Sequence, residues 1–401
     1  MTATLNQTPR AERVHIAFFG RRNSGKSSLI NAFAGHKVAL VSDVAGTTTD
    51  PVYKSFELLG VGPVVFVDTA GLDDGGDLGQ LRVEKTRQAL DKTDLAILVL
   101  TGDPGQEELA WLAAIREKKI PLLVLLNKAD LLEDAETAAQ TLSQQLELPV
   151  LTVSAQTGEN IPALLDAIMK AVPDDFWDRT LLGDMVGPGD LVLLVMPQDT
   201  EAPKGRLILP QVQTTRELLD KKCTVVSCTT DCLQNALAAL AHPPKLIITD
   251  AHSFPQVWEQ KPPESILTAF TILFAGYKGD IRTFLEGAAA VEALTETSRV
   301  LIAEASSHSH NEEDIGRSKL PALLRKKAGQ GLTIDHVQGN DFPQDLSPYD
   351  LVIHCGACMF NRRYVMSRVL SAERQKVPIT NYGIVLAAVS GILDQVAVPE
   401  G

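Results

Sequence analysis

A glycine-rich segment near the N-terminus of this 401-residue sequence decides the class of its first domain. Residues 20–28 have the spacing G-x-x-x-x-G-K-S of a phosphate-binding loop, between a predicted strand (Val14 to Phe19) and a predicted helix (29–33). Successive backbone N–H groups and the helix N-terminus then face an anion. The Lys26 ammonium is expected to reach the β- and γ-phosphates, and the Ser27 hydroxyl to ligate Mg²⁺. The residues predicted to hold the phosphates are Gly20, Asn23, Ser24, Gly25, Lys26, Ser27 and Ser28.

Three further segments, each directly after a predicted strand, indicate that the nucleotide is GTP. Asp68 ends one strand and is placed to hold Mg²⁺ through water. The Asp130 carboxylate can accept two hydrogen bonds from guanine N1–H and N2–H₂, which adenine cannot donate. A backbone N–H of the Ser154–Ala155 pair is expected to reach guanine O6. The base-binding residues are predicted to be Asn127, Lys128, Asp130, Ser154 and Ala155.

The segment between the phosphate loop and Asp68 predicts a switch that closes on Mg²⁺ and the γ-phosphate. Residues 44–51 are rich in hydroxyls, and Thr48 is the first candidate for the Mg²⁺ ligand, with Thr47 the second. Gly71 completes the D-x-x-G motif and is expected at the γ-phosphate. Leu72 follows it, where many GTPases have a glutamine that orients the attacking water. Either another group orients this water or turnover is slow.

These residues resemble the TrmE–Era branch of GTPases, on the strength of Gly46-Thr47-Thr48 and of Asn23 in the phosphate loop. In potassium-activated members the matching asparagine helps to hold a K⁺ ion. The resemblance therefore implies hydrolysis that K⁺ stimulates. Asn23 can equally be a turn residue that hydrogen-bonds to its own backbone.

Charge and composition limit which classes of partner and which cellular compartment we expect for this protein. The formal net charge is −13, so the chain gains no general attraction to nucleic-acid phosphates, and we expect no nucleic-acid partner. The first thirteen residues are polar, and no apolar run is long enough to span a bilayer, so we expect a cytoplasmic protein without membrane contact. The five cysteines of such a protein are expected to be thiols or metal ligands.

The alternation of predicted strands and helices indicates three α/β domains. A doubly wound pattern continues to about residue 172, and a glycine- and proline-rich linker follows at 181–190. A smaller α/β unit comes next, and a third begins near Leu267 with a predicted strand from Ala269 to Phe274. The predicted domains are 1–173, 180–265 and 266–401. Within the middle domain Cys223, Cys228 and Cys232 are predicted to be core or surface thiols rather than a metal site.

A second polar site is predicted in the last domain. Cys355 and Cys358 form a C-x-x-C turn after a buried strand, with His354 beside them. That spacing fits a redox dithiol, half of a zinc site or half of an iron–sulfur site. A second polar cluster, residues 306–310, follows another predicted strand. Because carboxyl ends of parallel strands share one edge, the two clusters are expected to face each other.

Taken together, the three domains and the motif H-C-x-x-C resemble the HydF family of [FeFe]-hydrogenase maturation GTPases. The resemblance implies that the middle domain forms a homodimer and that the last domain binds a [4Fe-4S] cluster. The family's ligand pattern, C-x-H…H-C-x-x-C, maps onto Ser306, His308, His354, Cys355 and Cys358. Ser306 departs from it, since the family has its first cysteine there, and this leaves the third ligand open.

The resemblance also implies a function. The protein would be a GTP-hydrolysing scaffold or carrier for the diiron precursor of the hydrogenase active site, with two radical-SAM maturases and the apo-hydrogenase as partners. Two other hypotheses stay open on the residues alone: a GTPase directed to RNA or the ribosome, and a GTP-regulated dithiol redox protein.

Overall fold

The protein is seen here as a computed structural model, which describes residues 8–33, 38–44, 51–58, 60–69, 85–173, 176, 179–197, 207–305 and 315–399. The chain divides into two compact units, Met1–Asp178 and Arg179–Gly401. Both are α/β, as the sequence predicts.

Three sheets contain the strands. The strands are β1 (Val14–Phe19), β2 (Val38–Val44), β3 (Val52–Leu58), β4 (Gly62–Asp68), β5 (Leu95–Leu100), β6 (Leu122–Leu126), β7 (Val150–Thr152), β8 (Leu191–Val195), β9 (Thr224–Cys228), β10 (Leu246–Thr249), β11 (Ile266–Ala269), β12 (Arg299–Glu304), β13 (Thr333–Gln338), β14 (Leu351–His354) and β15 (Ile379–Asn381).

Helices connect most of these strands. The helices are α1 (Lys26–Phe33), α2 (85–90), α3 (Gln106–Glu117), α4 (Ala135–Leu146), α5 (Ile161–Ala171), α6 (Leu209–Asp220), α7 (Leu233–Ala238), α8 (Phe254–Gln260), α9 (Phe270–Lys278), α10 (Ile281–Ala288), α11 (Ala290–Ala293), α12 (Leu320–Ala328), α13 (Arg362–Arg374) and α14 (Tyr382–Val389). Within the described ranges, no helix combines the length and the apolar character that crossing a membrane requires.

The first unit contains a seven-stranded sheet in the order β2-β3-β4-β1-β5-β6-β7. Strands β4, β1, β5, β6 and β7 are parallel, and β2 and β3 are antiparallel additions at one edge. The predicted doubly wound pattern therefore holds for the parallel part, whereas the antiparallel edge was not predicted.

Strand β1 is central, and this explains why its sequence is apolar except for His15. All six of its residues are buried, as expected for a parallel strand with both faces covered. Alternate side chains enter separate cores: Phe18 packs with Phe33 and Phe66, while Phe19 packs with Trp111 on the other face. The loop that follows β1 is thus held by a fully buried strand in the middle of the sheet.

The second unit contains two four-stranded parallel sheets with the same strand order. The middle sheet has the order β9-β8-β10-β11, and the C-terminal sheet has the order β13-β12-β14-β15. When the four strands of each sheet are numbered in chain order, both sheets have the strand order 2-1-3-4. In both, the last strand passes directly into a helix, at Ala269–Phe270 and at Asn381–Tyr382. The second unit therefore contains one topology twice.

The two sheets of the second unit share a single hydrophobic core, which includes Leu193 and Ile247 of the middle sheet and Ile302 and Val352 of the C-terminal sheet. The predicted strand Ala269 to Phe274 is wrong, because these residues except Ala269 begin helix α9. When a segment is buried on all sides, its apolar residues follow neither the period of a strand nor that of a helix, so the sequence pattern does not distinguish the two. Strand β11 pairs with β10, so the predicted boundary at 265/266 falls directly before a strand of the middle sheet.

Candidate functional site

The phosphate loop lies between β1 and α1, and two of its glycines are required by close packing. Gly20 has φ +144° and Gly25 has φ +91°, in a region that side chains disfavour. A Cβ atom at Gly20 would collide with the Val99 carbonyl oxygen, and one at Gly25 would collide with the Asn127 side-chain amide. The second glycine of the loop is therefore fixed by a residue of the predicted base-binding segment.

Lys26, Ser27 and Asp68 come together at the carboxyl ends of β1 and β4. The buried Lys26 Nζ donates to the Gly20 and Arg21 carbonyl oxygens at 2.8 and 2.7 Å. The Ser27 hydroxyl donates to the Asp68 carboxylate. Burial raises the pKa of the Asp68 carboxyl, while the Ser27 hydroxyl and the Lys26 charge lower it in part. The partly dehydrated carboxylate and the neighbouring hydroxyl together provide oxygen ligands of the kind that Mg²⁺ prefers.

The base-binding residues are joined to the phosphate loop by Asn127. Its Nδ2 donates to the Ser24 carbonyl at 2.8 Å, and its Oδ1 accepts from the Ala155 N–H at 3.2 Å. The exposed Asp130 accepts from the Ser154 hydroxyl at 2.5 Å. The Ser154 N–H donates to a carbonyl oxygen at position 159, so the N–H groups of Ser154 and Ala155 both have acceptors within the protein. Lys128 turns the chain with φ 64°.

An ion pair that the motifs do not contain anchors the phosphate loop to α3. Arg21 lies 2.8 Å from the Glu108 carboxylate and donates to the Asp103 carbonyl at 3.1 Å. Glu108 is buried and also accepts from the Gly105 N–H at 2.9 Å. Sequence reasoning missed this pair. The sequence contains one signal for it, because Glu108 is the third residue of a helix that begins after Gly105, a position from which a glutamate can bond back to the start of the helix.

Several predicted residues of the switch segments lie outside the described residues. These are Thr47, Thr48, Gly71 and Leu72. Among the loop residues that are described, Asn23 is exposed with φ 60°, and Ser27 and Ser28 lie in the first turn of α1, where backbone N–H groups lack helical acceptors.

The C-x-x-C turn lies where the strands of the C-terminal sheet end together. Residue pairing aligns Ala303 of β12 with His354 of β14, and His354 with Asn381 of β15. The chain leaves this edge after Ala305, one residue before the predicted ligand position Ser306. Ser306, His308 and His310 lie outside the described residues. The predicted common edge is thus confirmed for the strands themselves.

Cys355 is held in place through its sulfur and through its carbonyl group. The Sγ atom accepts from the Ala305 N–H at 3.0 Å and from the Ala357 N–H at 3.4 Å. The Cys355 carbonyl oxygen accepts from Asn381 Nδ2 at 3.3 Å, and Asn381 also caps helix α14 through the Gly383 N–H. Burial raises the pKa of the Cys355 thiol to about 11, against the effect of these N–H groups. A bound metal would supply the positive charge that a thiolate there requires.

The geometry of His354 does not favour its predicted role as a ligand. The imidazole is buried, its Nδ1 lies 2.9 Å from the Cys355 carbonyl oxygen, and its Nε2 lies 2.9 Å from a guanidinium nitrogen of Arg368. Since arginine only donates, Nε2 accepts and Nδ1 carries the proton. Burial, with Arg368 second, lowers the pKa of His354 to about 3, so the ring is neutral. Both nitrogens are therefore occupied by protein groups.

Glu304 forms a second network at the same edge. Its carboxylate accepts from Arg317 at 3.2 Å, from Gln338 at 3.3 Å and from the Tyr382 hydroxyl at 3.3 Å. Glu304 and Arg317 stand on either side of the segment 306–314, so this ion pair holds the two flanks of that segment together. Both Glu304 and His354 are thus engaged with protein partners.

The five cysteines are distributed over the middle domain and the C-x-x-C turn. All five lie in the described part of the chain, and none forms a disulfide. Among the described residues, no group of three or more histidine, cysteine or acidic side chains is placed to hold a metal ion. Two thiols in one tight turn, with backbone N–H groups directed at one sulfur, fit half of a cluster site, and the remaining ligands would have to come from outside the described ranges or from another molecule.

Family models match three consecutive parts of the chain. Residues 15–128 match a model described as "50S ribosome-binding GTPase", residues 181–279 match the "Hydrogen maturase F dimerization domain", and residues 282–399 match the "Hydrogen maturase F tetramerization domain". The first unit is therefore a GTPase domain, and the second combines two oligomerization domains.

Relatives match a smaller part of the chain. A tRNA modification GTPase MnmE from Laribacter hongkongensis is 37% identical over 164 residues, and a GTPase Der from Wolinella succinogenes is 34% identical over 186 residues. These matches cover 40% and 42% of this chain and 35% and 39% of the relatives. The chain thus spans well under half of the length of these relatives.

Some solved structures share limited structural similarity with this chain. An Aquifex aeolicus Era variant bound to GDP and AlF₄⁻ is 21% identical with a TM-score of 0.35, over 54% of this chain and 92% of that one. The G domain of the T. maritima FeoB iron transporter is 25% identical with a TM-score of 0.31, over 40% of this chain and 99% of that one.

Proposed function

Since this chain belongs to the hydrogen maturase F family, we propose that it is a GTP-hydrolysing scaffold or carrier that binds a [4Fe-4S] cluster. Its cargo is the diiron precursor of the [FeFe]-hydrogenase active site, and its partners are the radical-SAM maturases that build this precursor and the apo-hydrogenase that receives it. GTP hydrolysis serves as a switch of partner affinity, because the nucleotide residues and the cysteine turn belong to different units of the chain.

The GTPase domain positions the nucleotide by its own groups. Backbone N–H groups of the loop and of the α1 N-terminus bind the phosphates, and Lys26 exchanges its loop carbonyl acceptors for phosphate oxygens. Ser27 and Asp68 would hold Mg²⁺, and the bound ion would supply charge neutralisation for the phosphates. Asp130 selects guanine. Without a glutamine at Leu72, hydrolysis is slow and stimulated by K⁺ near Asn23.

The proposed binding of an iron–sulfur cluster depends on one observation. Within a hydrogen maturase F domain, the Cys355 sulfur accepts two backbone N–H groups at the carboxyl edge of the sheet. Such bonds favour a thiolate, and a thiolate is what cluster iron binds. Cys355 and Cys358 are the proposed ligands, with Ser306 and His308 as the candidates for the third. A cluster bound there would supply an iron site for the precursor.

The two oligomerization domains support assembly beyond one chain. We propose a homodimer through the dimerization domain and further association through the tetramerization domain. The predicted partition at 1–173, 180–265 and 266–401 stays a proposal; the dimerization model matches residues 181–279, and the tetramerization model matches residues 282–399.

Iron and sulfide analysis after anaerobic reconstitution tests this function. The parent protein is expected to retain both elements through gel filtration, whereas Cys355→Ser and Cys358→Ser should be nearly empty. Cys232→Ser, which removes an exposed thiol of the middle domain, is the matched control and should retain as much iron as the parent protein. A parent protein without iron but with a reducible Cys355–Cys358 disulfide would instead identify a dithiol redox protein.

Ser306→Cys tests the third ligand in the same assay. A cysteine ionises more readily than a serine hydroxyl, so this variant should retain more iron than the parent and give a changed spectrum of the reduced cluster. Equal iron and identical spectra would show that residue 306 is no ligand and would leave His308 as the candidate.

An RNA- or ribosome-directed GTPase is the second candidate, since the GTPase model carries a ribosome-binding description and MnmE is a tRNA modification enzyme. Binding to total tRNA and to 50S subunits at two salt concentrations separates the candidates. Salt-sensitive RNA binding by a protein that retains no iron would favour this one.

A further inference from the structure

Arg368, on α13 behind the C-x-x-C turn, is a buried cation that has no acidic partner among the described residues. Only 2% of its surface is exposed. Its guanidinium donates to the Gly339 carbonyl oxygen and to the Tyr364 hydroxyl, the latter at 3.1 Å. In the described part of the chain no carboxylate pairs with Arg368, and its Nε atom has no hydrogen-bond acceptor. The charge is permanent, because arginine is not deprotonated in proteins.

Three aromatic rings surround this charge. The rings of Phe342, Phe360 and Tyr364 have their centroids 4.7, 4.7 and 4.5 Å from the guanidinium carbon. Each ring face attracts a cation through its quadrupole. A ring carries no net charge, so this attraction replaces part of the lost hydration and leaves the positive charge in place. The aromatic cage therefore holds the charge without neutralising it.

The guanidinium is directed at the cysteine turn through one imidazole. It donates to His354 Nε2 at 2.9 Å, and His354 Nδ1 donates to the Cys355 carbonyl oxygen at 2.9 Å. Two groups fix which histidine nitrogen carries the proton, because Arg368 can only donate to Nε2 and the Cys355 carbonyl oxygen can only accept from Nδ1. The arginine thus supports both the tautomer of His354 and the hydrogen bond that orients the main chain of Cys355.

We infer that Arg368 is the buried counter-charge of an anionic metal group at Cys355 and Cys358, and that it positions Cys355 through His354. The inference rests on the proposed function. Thiolate ligands offset the positive charge of an iron–sulfur core, and reduction adds one negative charge to the cluster. A fixed positive charge near it stabilises the reduced form more than the oxidised form and raises the reduction potential. Arg368 is accordingly a positioning residue and not a ligand.

The charge and the hydrogen bond can be separated with two variants. Arg368→Gln keeps one N–H donor for His354 and removes the charge, whereas Arg368→Lys keeps the charge and loses the planar fork. Arg374→Met removes an exposed arginine from the same helix and is the control. The measurements are iron retained per chain, the midpoint potential from a redox titration followed by EPR, and the thermal unfolding temperature.

Arg368→Gln should bind iron about 10-fold more weakly than the parent, as second-shell substitutions at metal sites do, and its midpoint potential should be more negative. Arg368→Lys should keep a potential close to the parent's, with weaker iron retention. Arg374→Met should match the parent in both. A core arginine without a role at the cluster would lower only the unfolding temperature.

Equal potentials in the Gln and Lys variants would overturn the inference, whatever their thermal stability, because they differ in charge. A parent protein that retains no iron would overturn the proposed function and this inference together. A parent that retains iron, with a Gln variant that equals it in iron and potential, would overturn the inference alone.

Discussion

The nucleotide site and the cysteine site both lie at the carboxyl edge of parallel strands, yet their cations are held in opposite ways. Lys26 rests on two carbonyl oxygens of its own loop, at 2.8 and 2.7 Å, and can exchange them for phosphate oxygens. Arg368 is enclosed by three rings and bonded to His354, so it cannot move without disrupting its helix. The first arrangement suits a ligand that leaves in every cycle, and the second suits one that stays.

The two sites also differ in where their supporting contacts come from. In the nucleotide site, motif residues support each other, as Asn127 does for Ser24 and Ser154 for Asp130. In the cysteine site, the motif provides two sulfurs, while Arg368 and Asn381 come from elements that follow it. A loop that binds an anion by its backbone can be encoded locally, whereas a buried charge needs a cage from distant residues.

The largest expected effect is that of Lys26→Ala. Loss of the only loop cation predicted at the β- and γ-phosphates should lower the rate of GTP hydrolysis by about 100-fold or more, as removal of one preorganised donor does elsewhere. Lys170→Ala, an exposed residue of α5, is the control. Phosphate release measures the rate, and iron content should remain that of the parent. A simultaneous loss of iron would show that the two sites are not independent.

Asp130→Asn should weaken GTP binding by about 100-fold, because the carboxylate that accepts two guanine hydrogen bonds becomes an amide. Xanthosine triphosphate has an oxygen at C2 in place of the amino group, so the variant should bind it better than the parent does. Fluorescent-nucleotide titration measures both. Ser154→Ala, which removes the hydroxyl that donates to Asp130, should have a smaller effect. An Asn variant with the parent's GTP affinity would contradict the assignment of the base-binding loop.

The smallest expected effect concerns Asn23, whose φ of 60° fits a turn residue as well as a potassium ligand. Glycine adopts that conformation without strain, so Asn23→Gly keeps the turn and removes the amide. Hydrolysis by the parent should be several-fold faster in K⁺ than in Na⁺, and the Gly variant should be equally slow in both. If the Gly variant keeps the K⁺ stimulation, Asn23 is a turn residue only.

Much of the nucleotide site could be predicted because its chemistry depends on short spacings. G-x-x-x-x-G-K-S needs only a strand before it and a helix after it, and both are present as β1 and α1. The strand–helix boundary at Ala269 was predicted wrongly, since residues 270–278 are mostly apolar and are buried or half-buried on every side of the helix. The antiparallel strands β2 and β3 carry no comparable motif, and their pairing depends on tertiary contacts.

What the sequence determined by itself is therefore the nucleotide loop, the selection of guanine, the alternation of strands and helices, and the presence of a C-x-x-C turn after a buried strand. Tertiary structure alone decided that Arg21 pairs with Glu108, that His354 has both nitrogens occupied, and that Arg368 lies behind Cys355. The physical reason is distance along the chain. A loop motif fixes the geometry of neighbouring residues, whereas a hydrogen bond between residues 14 or 87 positions apart forms only after sheets and helices have packed.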